Sequence, residues 1–564
     1  MTDPLRTDGS VEIVDDVDNG GEADTSGAQT PIWKPNRHEY GVMLTLSLTS
    51  LLVALDATII VTSLSTITKE LNASTTQGIW IGTSYLLACA STMSFVGSLS
   101  NIFGRTELLF SAVSFFTIGT IVCCTAHNIG AMLAGRSIQG VGGGGVIVLA
   151  QLIFTDIVPL RYRPKYLGII QGAWALGTCL GPILGGSLAK NNLWHWVFYI
   201  LLPICGISLF LIPWTVRLDG RKASLKNMLT RVDWIGGGLF VSSTTSFLIG
   251  LSWGGIQYPW SSASTLVPLI IGGVGMVATI IWERTSPYEP FLPSSIFHNA
   301  SAIIVYGGAF FQGFLLYGQL YYIAFFFASV QLKSTLGTAV VLIPPLVTLV
   351  PSAIVVGAVI TRTAKYRWAM WSGFAILSIS AGLMIIWDEH TKASVWASVC
   401  VVIGIGHGLA LNALLIASQS SCKSGDEALA ASTYVFMRSF GMACGVGIGG
   451  TIFQNIMAGK LRDLSLPTSI ALESEAYISV LHHLGDTPER AAIIFAYRFG
   501  FRGLFGCFCG FAGVASIATL FVKHHEINKE LVSEHKLRYS QRFDQTAQKE
   551  ATGTTTSQSL QSNC

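Results

Sequence analysis

From residue 42 to residue 522 the chain alternates between apolar stretches and short polar breaks. A helix that crosses a bilayer needs about 20 mostly apolar residues. Fourteen segments meet that need: 42–63, 79–98, 108–126, 130–153, 167–189, 194–213, 235–252, 265–282, 302–328, 336–360, 369–387, 394–418, 430–453 and 502–522. They are numbered here as spans one to fourteen. Only helices and closed barrels satisfy every backbone hydrogen bond in lipid, and stretches this long and continuously apolar fit helices. The pattern therefore predicts an all-α membrane protein. Segment 454–501 is expected to be a long external loop. Within it, Leu472, Ala476 and Val480 recur at helical spacing over a stretch too short to span, which suggests a lid on the membrane surface.

An even number of spans puts both tails on one side, and Lys and Arg decide which. With the tails inside, single inner loops hold Arg161, Arg163 and Lys165, or Arg362, Lys365 and Arg367. Apart from segment 454–501, the outer loops hold only Lys69, Lys190, Lys333 and Lys392. The tails are thus predicted to be cytoplasmic. Residues 1–40 are polar and acidic (Asp15, Asp16, Asp18, Glu22, Asp24) and carry no apolar core of a signal peptide. These residues and the Ser-, Thr- and Gln-rich end beyond about 540 read as disordered, within tails 1–40 and 523–564.

A repeat underlies the spans. Span five contains Gly177, Gly181, Pro182, Gly185 and Gly186, and span thirteen contains Gly441, Gly445, Gly449 and Gly450 at the same spacing. The loop after span two, Gly97 to Arg105, has a weaker echo after span ten, Gly357 to Arg367. The offset of eight spans defines an N-terminal bundle, 41–213, and a C-terminal bundle, 301–522. Between them lies a linker, 214–300, with two inserted spans.

Composition narrows the function. Of the 564 residues, 51% are hydrophobic and 12% charged, against about 25% charged in a soluble protein. The net charge of +3 and the lack of a basic run give no reason to expect nucleic acid. The 11 cysteines lie mostly in apolar segments, without metal-ligand spacing, and read as small apolar side chains. No phosphate-binding loop or catalytic constellation stands in a polar segment, so neither an ATP-driven pump nor an enzyme is expected, and no metal or cofactor. Ionisable residues inside a membrane are costly and usually functional. Asp56 in span one and Arg136 in span four are therefore singled out. An arginine does not give up its proton, so its role is to stabilise a neighbouring carboxylate, and Asp56 is the candidate partner. His407 in span twelve is a rival proton carrier, set among Gly404, Gly406 and Gly408.

Several motifs occur together: Leu55-Asp56-Ala57-Thr58, the Gly97–Arg105 loop, Arg136 to Gly143, the Gly177–Gly186 stretch with Pro182, and Asp233-Trp234-Ile235-Gly236. In these the chain resembles the fungal branch of the fourteen-span drug:proton antiporters of the major facilitator superfamily. The resemblance implies two six-helix bundles plus two inserted spans. It implies a proton-coupled exporter of a small, largely hydrophobic toxin, drug or secondary metabolite, with protons, cargo and the bilayer as partners and a monomer in the plasma membrane, or the vacuolar membrane. Asp56 and Arg136 would couple protons. Trp80, Tyr85, Gln139 and Arg438 would bind cargo, and on span nine Tyr317, Gln319 and Tyr321, aromatics with an amide, suit a bulky, largely apolar ligand. Gly97, Asn101, Gly104, Arg105, Gly177, Gly181, Pro182, Gly185 and Gly186 would form gating and antiporter motifs. The loop departs from the family pattern, because Asn101 stands where an aspartate is usual, so the usual cross-bundle ion pair is expected to be absent. Asp233 reads as a helix cap. The alternative is a carrier for uptake or vacuolar loading of basic amino acids or an iron–siderophore complex, whose cavity should hold more charge. Asn72-Ala73-Ser74 is a glycosylation acceptor in the first outer loop, while the like motif at Asn299 would be cytoplasmic.

Overall fold

The structure, a computed structural model, describes residues 33–190, 193–218, 224–255, 257–286, 294–475 and 477–528. Of the tails expected to be disordered, 1–32 and 529–564 lie outside these residues, whereas residues 37–40, placed in the first tail, already form the start of span one's helix. No strand forms among the described residues; a single bridge joins Gly254 and Tyr258. The N-terminal bundle is built from Arg37–Glu70, Thr75–Phe103, Arg105–Cys124, Ile129–Ile157, Arg163–Lys190 and the broken sixth span Trp196–Tyr199 with Leu201–Thr215. The inserted pair is Trp234–Trp253 and Ala263–Thr285. The C-terminal bundle comprises Ala300–Ser329, the broken tenth span Thr335–Val341 with Ile343–Thr363, Arg367–Met384, Ala393–Ser421, Glu427–Asp463 and Pro488–Leu520.

Thirteen of these helices are long and apolar enough to cross a bilayer. The remaining expected span, 369–387, forms Arg367–Met384. Its 18 residues reach about 27 Å at 1.5 Å per residue, close to the hydrocarbon thickness. Its apolar run is the less pure because it starts on Arg367. It packs against spans twelve and fourteen, as a crossing helix must. With fourteen crossings the first and last helix open on the same face, called the tail side below.

Capping fixes where several helices begin. Ser74 and Gln77 form a reciprocal capping box at the start of span two, with bonds of 3.2 and 3.0 Å. Asn128 accepts from the Ala131 amide at 2.8 Å. Asp233 caps span seven as expected, accepting from the Gly236 amide at 2.8 Å, while its other oxygen takes the Trp282 indole N–H at 2.9 Å. Of the two glycosylation motifs, Asn72 is exposed in the turn between spans one and two. Asn299 instead caps span nine, accepting from Ala302 at 2.7 Å.

The bundles repeat the same packing. Span one lies against five, three against four and two against four; nine lies against thirteen, eleven against twelve and ten against twelve. The glycine ladders explain this. A Cβ at Gly177, Gly181 or Gly185 would strike the backbone of span one, and one at Gly441 or Gly445 would strike the backbone of span nine. Without a hydrophobic drive between helices in lipid, such close backbone approach is what holds them. Thr58 and Thr62 add hydrogen bonds to the carbonyls of Gly177 and Pro182, at 3.3 and 3.1 Å. Spans four and twelve are the most enclosed, with 78% and 83% of their apolar windows buried. Span eight is the least, at 17%, and shows most of its surface to lipid.

Two expectations need correction. The outer segment is shorter than 454–501, because span thirteen runs on to Asp463 and span fourteen starts at Pro488. Charged residues such as Lys460 and Arg490 end an apolar window but do not end a helix that continues past the membrane. Two short helices, Ser469–Leu472 and Tyr477–His483, lie between them, not one stretch from 472 to 481. Their buried Ile470 and Leu481 pin the loop to protein. The inserted spans are also more than a linker: span seven packs on spans two and thirteen, one from each bundle.

The glycine ladder gives a sharp test. A Cβ at Gly185 would meet the Ile59 carbonyl, whereas one at Gly186 finds nothing nearer than 3.8 Å. Gly185→Ala should therefore cost about 1–3 kcal/mol by overpacking, seen as a lowered melting temperature of the purified protein. Gly186→Ala should melt like the parent.

Candidate functional site

Four helices converge on one carboxylate. Asp56, fully buried, accepts from Arg136 Nη1 through Oδ1 at 3.0 Å and Oδ2 at 2.8 Å. Oδ1 also accepts from Gln139 Nε2 at 2.8 Å. Gln139 sits one turn beyond Arg136 on span four; its Oε1 accepts from Arg136 at 2.6 Å, and its Nε2 donates to Thr120 of span three at 3.0 Å. Arg136 Nε donates to the Ile81 carbonyl of span two at 3.1 Å. The guanidinium lies 4.3 Å from the centre of the Tyr85 ring. The expected partnership of Asp56 and Arg136 is thus present as a contact. A buried pair holds only when its remaining donors and acceptors are met, and here most are.

Tyr85 connects this shell to a cavity of about 280 Å³ between the bundles. Its lining is mainly apolar and comes from both bundles and from span seven, through Leu248, Leu251 and Ser252. Among the expected cargo residues, Tyr85, Tyr317 and Arg438 line it. Four others do not. Gln139 belongs to the Asp56 shell. Gln319 Oε1 meets His407 Nε2 at 2.9 Å inside the C-terminal bundle. The Trp80 ring meets Trp253 edge-on at 6.1 Å. The Tyr321 hydroxyl donates to Glu475 of the outer loop. Helical spacing says that Tyr317 and Tyr321 share a face, but not how far along it the cavity reaches. Sequence reasoning missed Gln151, Gln171 and Trp174 of the lining. Amides within apolar spans were the available signal, and Gln151 and Gln171 carried it.

At the tail side the two bundles meet. Arg163, buried at the start of span five, donates to Gln419 of span twelve at 2.8 Å and to the carbonyls of Val158 and Thr155 at 2.7 Å each. Gln419 donates to Thr155 at 3.2 Å. Arg161 reaches the Thr361 carbonyl at 3.3 Å. A Cβ on Gly97 would hit Ser432 of span thirteen, and one on Gly357 would hit the Pro164 carbonyl. Gly104 turns the chain between spans two and three at φ 101°, where a side chain would be strained. Arg105 is not left unpaired by Asn101: its Nε donates to Asp156 of span four at 3.0 Å, both residues buried, and it also contacts the Ser100 hydroxyl. The ion pair is local to the N-terminal bundle.

Comparison with known proteins settles the family. Residues 46–446 match the Major Facilitator Superfamily. The chain belongs to it. Among superfamily members, "MFS efflux transporter aclA" of Aspergillus oryzae is 36% identical over 511 residues, covering 89% of this chain and 92% of that one. "MFS transporter L2" of a Phoma species is 36% identical over 506 residues, covering 89% and 85%. "Efflux pump FUS6" of Gibberella fujikuroi is 34% identical over 508 residues, covering 88% and 91%. The fold also matches solved facilitators. The human organic anion transporter MFSD10 gives a TM-score of 0.57 at 14% identity, covering 86% of this chain and all of that one. The proton:xylose symporter XylE gives 0.55 at 13%, covering 87% and 97%. The protein is a multi-pass membrane transporter of the facilitator fold.

Two outcomes follow from the charges. Asp156→Asn leaves Arg105 buried without its counter-charge and should cost about 3–5 kcal/mol. Adding Arg105→Gln should recover part of the loss, and a double-mutant cycle on melting temperature would read it. In the outer loop the exposed Glu475 carboxylate accepts from the Tyr321 hydroxyl. Tyr321→Phe should therefore cost only about 0.5–1.5 kcal/mol, read as a small drop in melting temperature.

Proposed function

We propose that this transporter expels a small, largely hydrophobic metabolite or toxin in exchange for protons. The arrangement that carries the reading is a fully buried carboxylate, Asp56, caged by Arg136 and Gln139, whose cage touches the cavity through Tyr85. Relatives of full length bearing efflux names point the same way.

Uphill export needs free energy. Each charge crossing the membrane supplies about 2.3 kcal/mol per 100 mV, and a pH difference adds to it. A carrier uses this only if some group takes a proton on one side and releases it on the other. Asp56 is suited to that role. As a carboxylate it accepts all three donations; once protonated it no longer holds Arg136 by charge. Arg136 then keeps the Ile81 carbonyl, Gln139 Oε1 and the Tyr85 ring. A shift of Arg136 is felt by Tyr85, and Tyr85 is cavity wall. The proton state of the N-terminal bundle thereby alters the cargo site. The competing carrier of basic amino acids is disfavoured, because the one formally charged residue among the described lining residues, Arg438, is itself a cation.

Asp56→Asn keeps the shape and, like the protonated acid, carries no charge, but it cannot cycle a proton. In proteoliposomes with an imposed pH gradient, it should lose uphill export of a hydrophobic cargo while downhill exchange persists. Full uphill activity in this variant would move the proton site, and His407 would be the next residue to substitute.

A further inference from the structure

The cavity holds hydrogen-bond donors that the protein does not use. Among the described residues, Arg438 on span thirteen has a buried Nε with no partner, and no carboxylate pairs with its guanidinium. Gln151 Nε2, on span four, is likewise buried and unpartnered, and so is the Tyr85 hydroxyl. All three residues line the same cavity, together with apolar neighbours such as Leu248, Leu415 and Met442. Buried polar groups are nearly always satisfied, and a charged group left bare in an apolar place is the costliest exception. The acid that could have neutralised the site, Asp56, is already held by Arg136 and Gln139.

We propose that the cargo is a hydrophobic organic acid, an apolar body bearing one carboxylate that docks on Arg438 with Gln151 and Tyr85 donating beside it. This rests on the export reading above and narrows it to a chemical class. A guanidinium offers two parallel N–H groups at the spacing of carboxylate oxygens, and such charge-assisted pairs are about twice as strong as neutral ones. A neutral cargo of the same shape would leave the guanidinium stripped of water and unpaired. A basic cargo would add repulsion. The apolar wall, with span seven forming part of it, takes the body of the molecule and leaves the choice among acids to shape.

The test needs a matched pair of probes, 9-anthracenecarboxylate and its neutral amide, with the full-length protein in lipid nanodiscs. Binding is read by quenching of tryptophan fluorescence. The wild type should bind the carboxylate about tenfold or more tightly than the amide, the ratio expected of one charge-assisted hydrogen bond. Arg438→Gln should abolish the preference, and Arg438→Lys should restore part of it, since a lysine keeps the charge but not the fork. Equal binding of the two probes by the wild type would overturn the proposal without any variant. So would a preference unchanged in Arg438→Gln. Proton-driven uphill transport of the amide, measured on the same wild-type preparation in proteoliposomes, separates the two claims. Its presence together with equal probe binding would sink the acid cargo and leave proton-coupled export standing. Its absence, with carboxylate transport also uncoupled from the pH gradient, would sink the export reading instead.

Discussion

A carboxylate in the middle of a membrane bundle has to be neutralised where it stands, and Asp56 is neutralised by contacts from span four while spans two and three steady the partners. Arg136 and Gln139 reach it only because span four can come close to its neighbours. A Cβ at Gly140 would strike the backbone of span two, and one at Gly135 or Gly142 would crowd span three. The run of small residues in span four is thus the condition for the charge cluster. If the helices stood further apart, Asp56 would face hydrocarbon or water.

The two bundles share a scaffold but not its contents. Both use glycine ladders to press one long helix against another, and both bury their central helix most deeply. Between spans twelve and nine the C-terminal bundle sets His407 against Gln319, where the N-terminal one has an ion pair between spans four and one. On the proposed reading, titration and cargo contact are divided: Asp56 sits within one bundle, and the cavity sits between both. Tyr85 belongs to each. At the tail side, Arg163, Gln419 and Thr155 tie the bundles together through a polar contact spread over both halves.

Much of this was legible in the sequence because membrane helices announce themselves by length and apolarity. The repeat was legible because glycine spacing records backbone contact. The Asp56–Arg136 pairing could be argued because a lone acid and a lone arginine in one bundle have few other partners. What failed did so for identifiable reasons. Asn101 removes the usual cross-bundle charge, but what Arg105 pairs with instead was not legible: it finds Asp156, a residue 51 positions away at the end of another helix, and linear spacing carries no sign of that. The outer loop was drawn too long because Lys460 and Arg490 mark the edge of lipid, not the end of a helix. Trp80 was assigned to the cavity by resemblance, Gln319 and Tyr321 by residue type; neither says which neighbour a helix face meets.

Span seven, finally, lies outside the repeat and yet forms part of the cavity wall. The two bundles must keep their glycines and buried charges to stay assembled, so their inner surfaces are constrained twice over. Leu248, Leu251 and Ser252 answer to neither ladder. A lineage of such carriers can reshape that wall by drift at a few positions, while the ladders and the Asp56–Arg136 cluster are inherited intact.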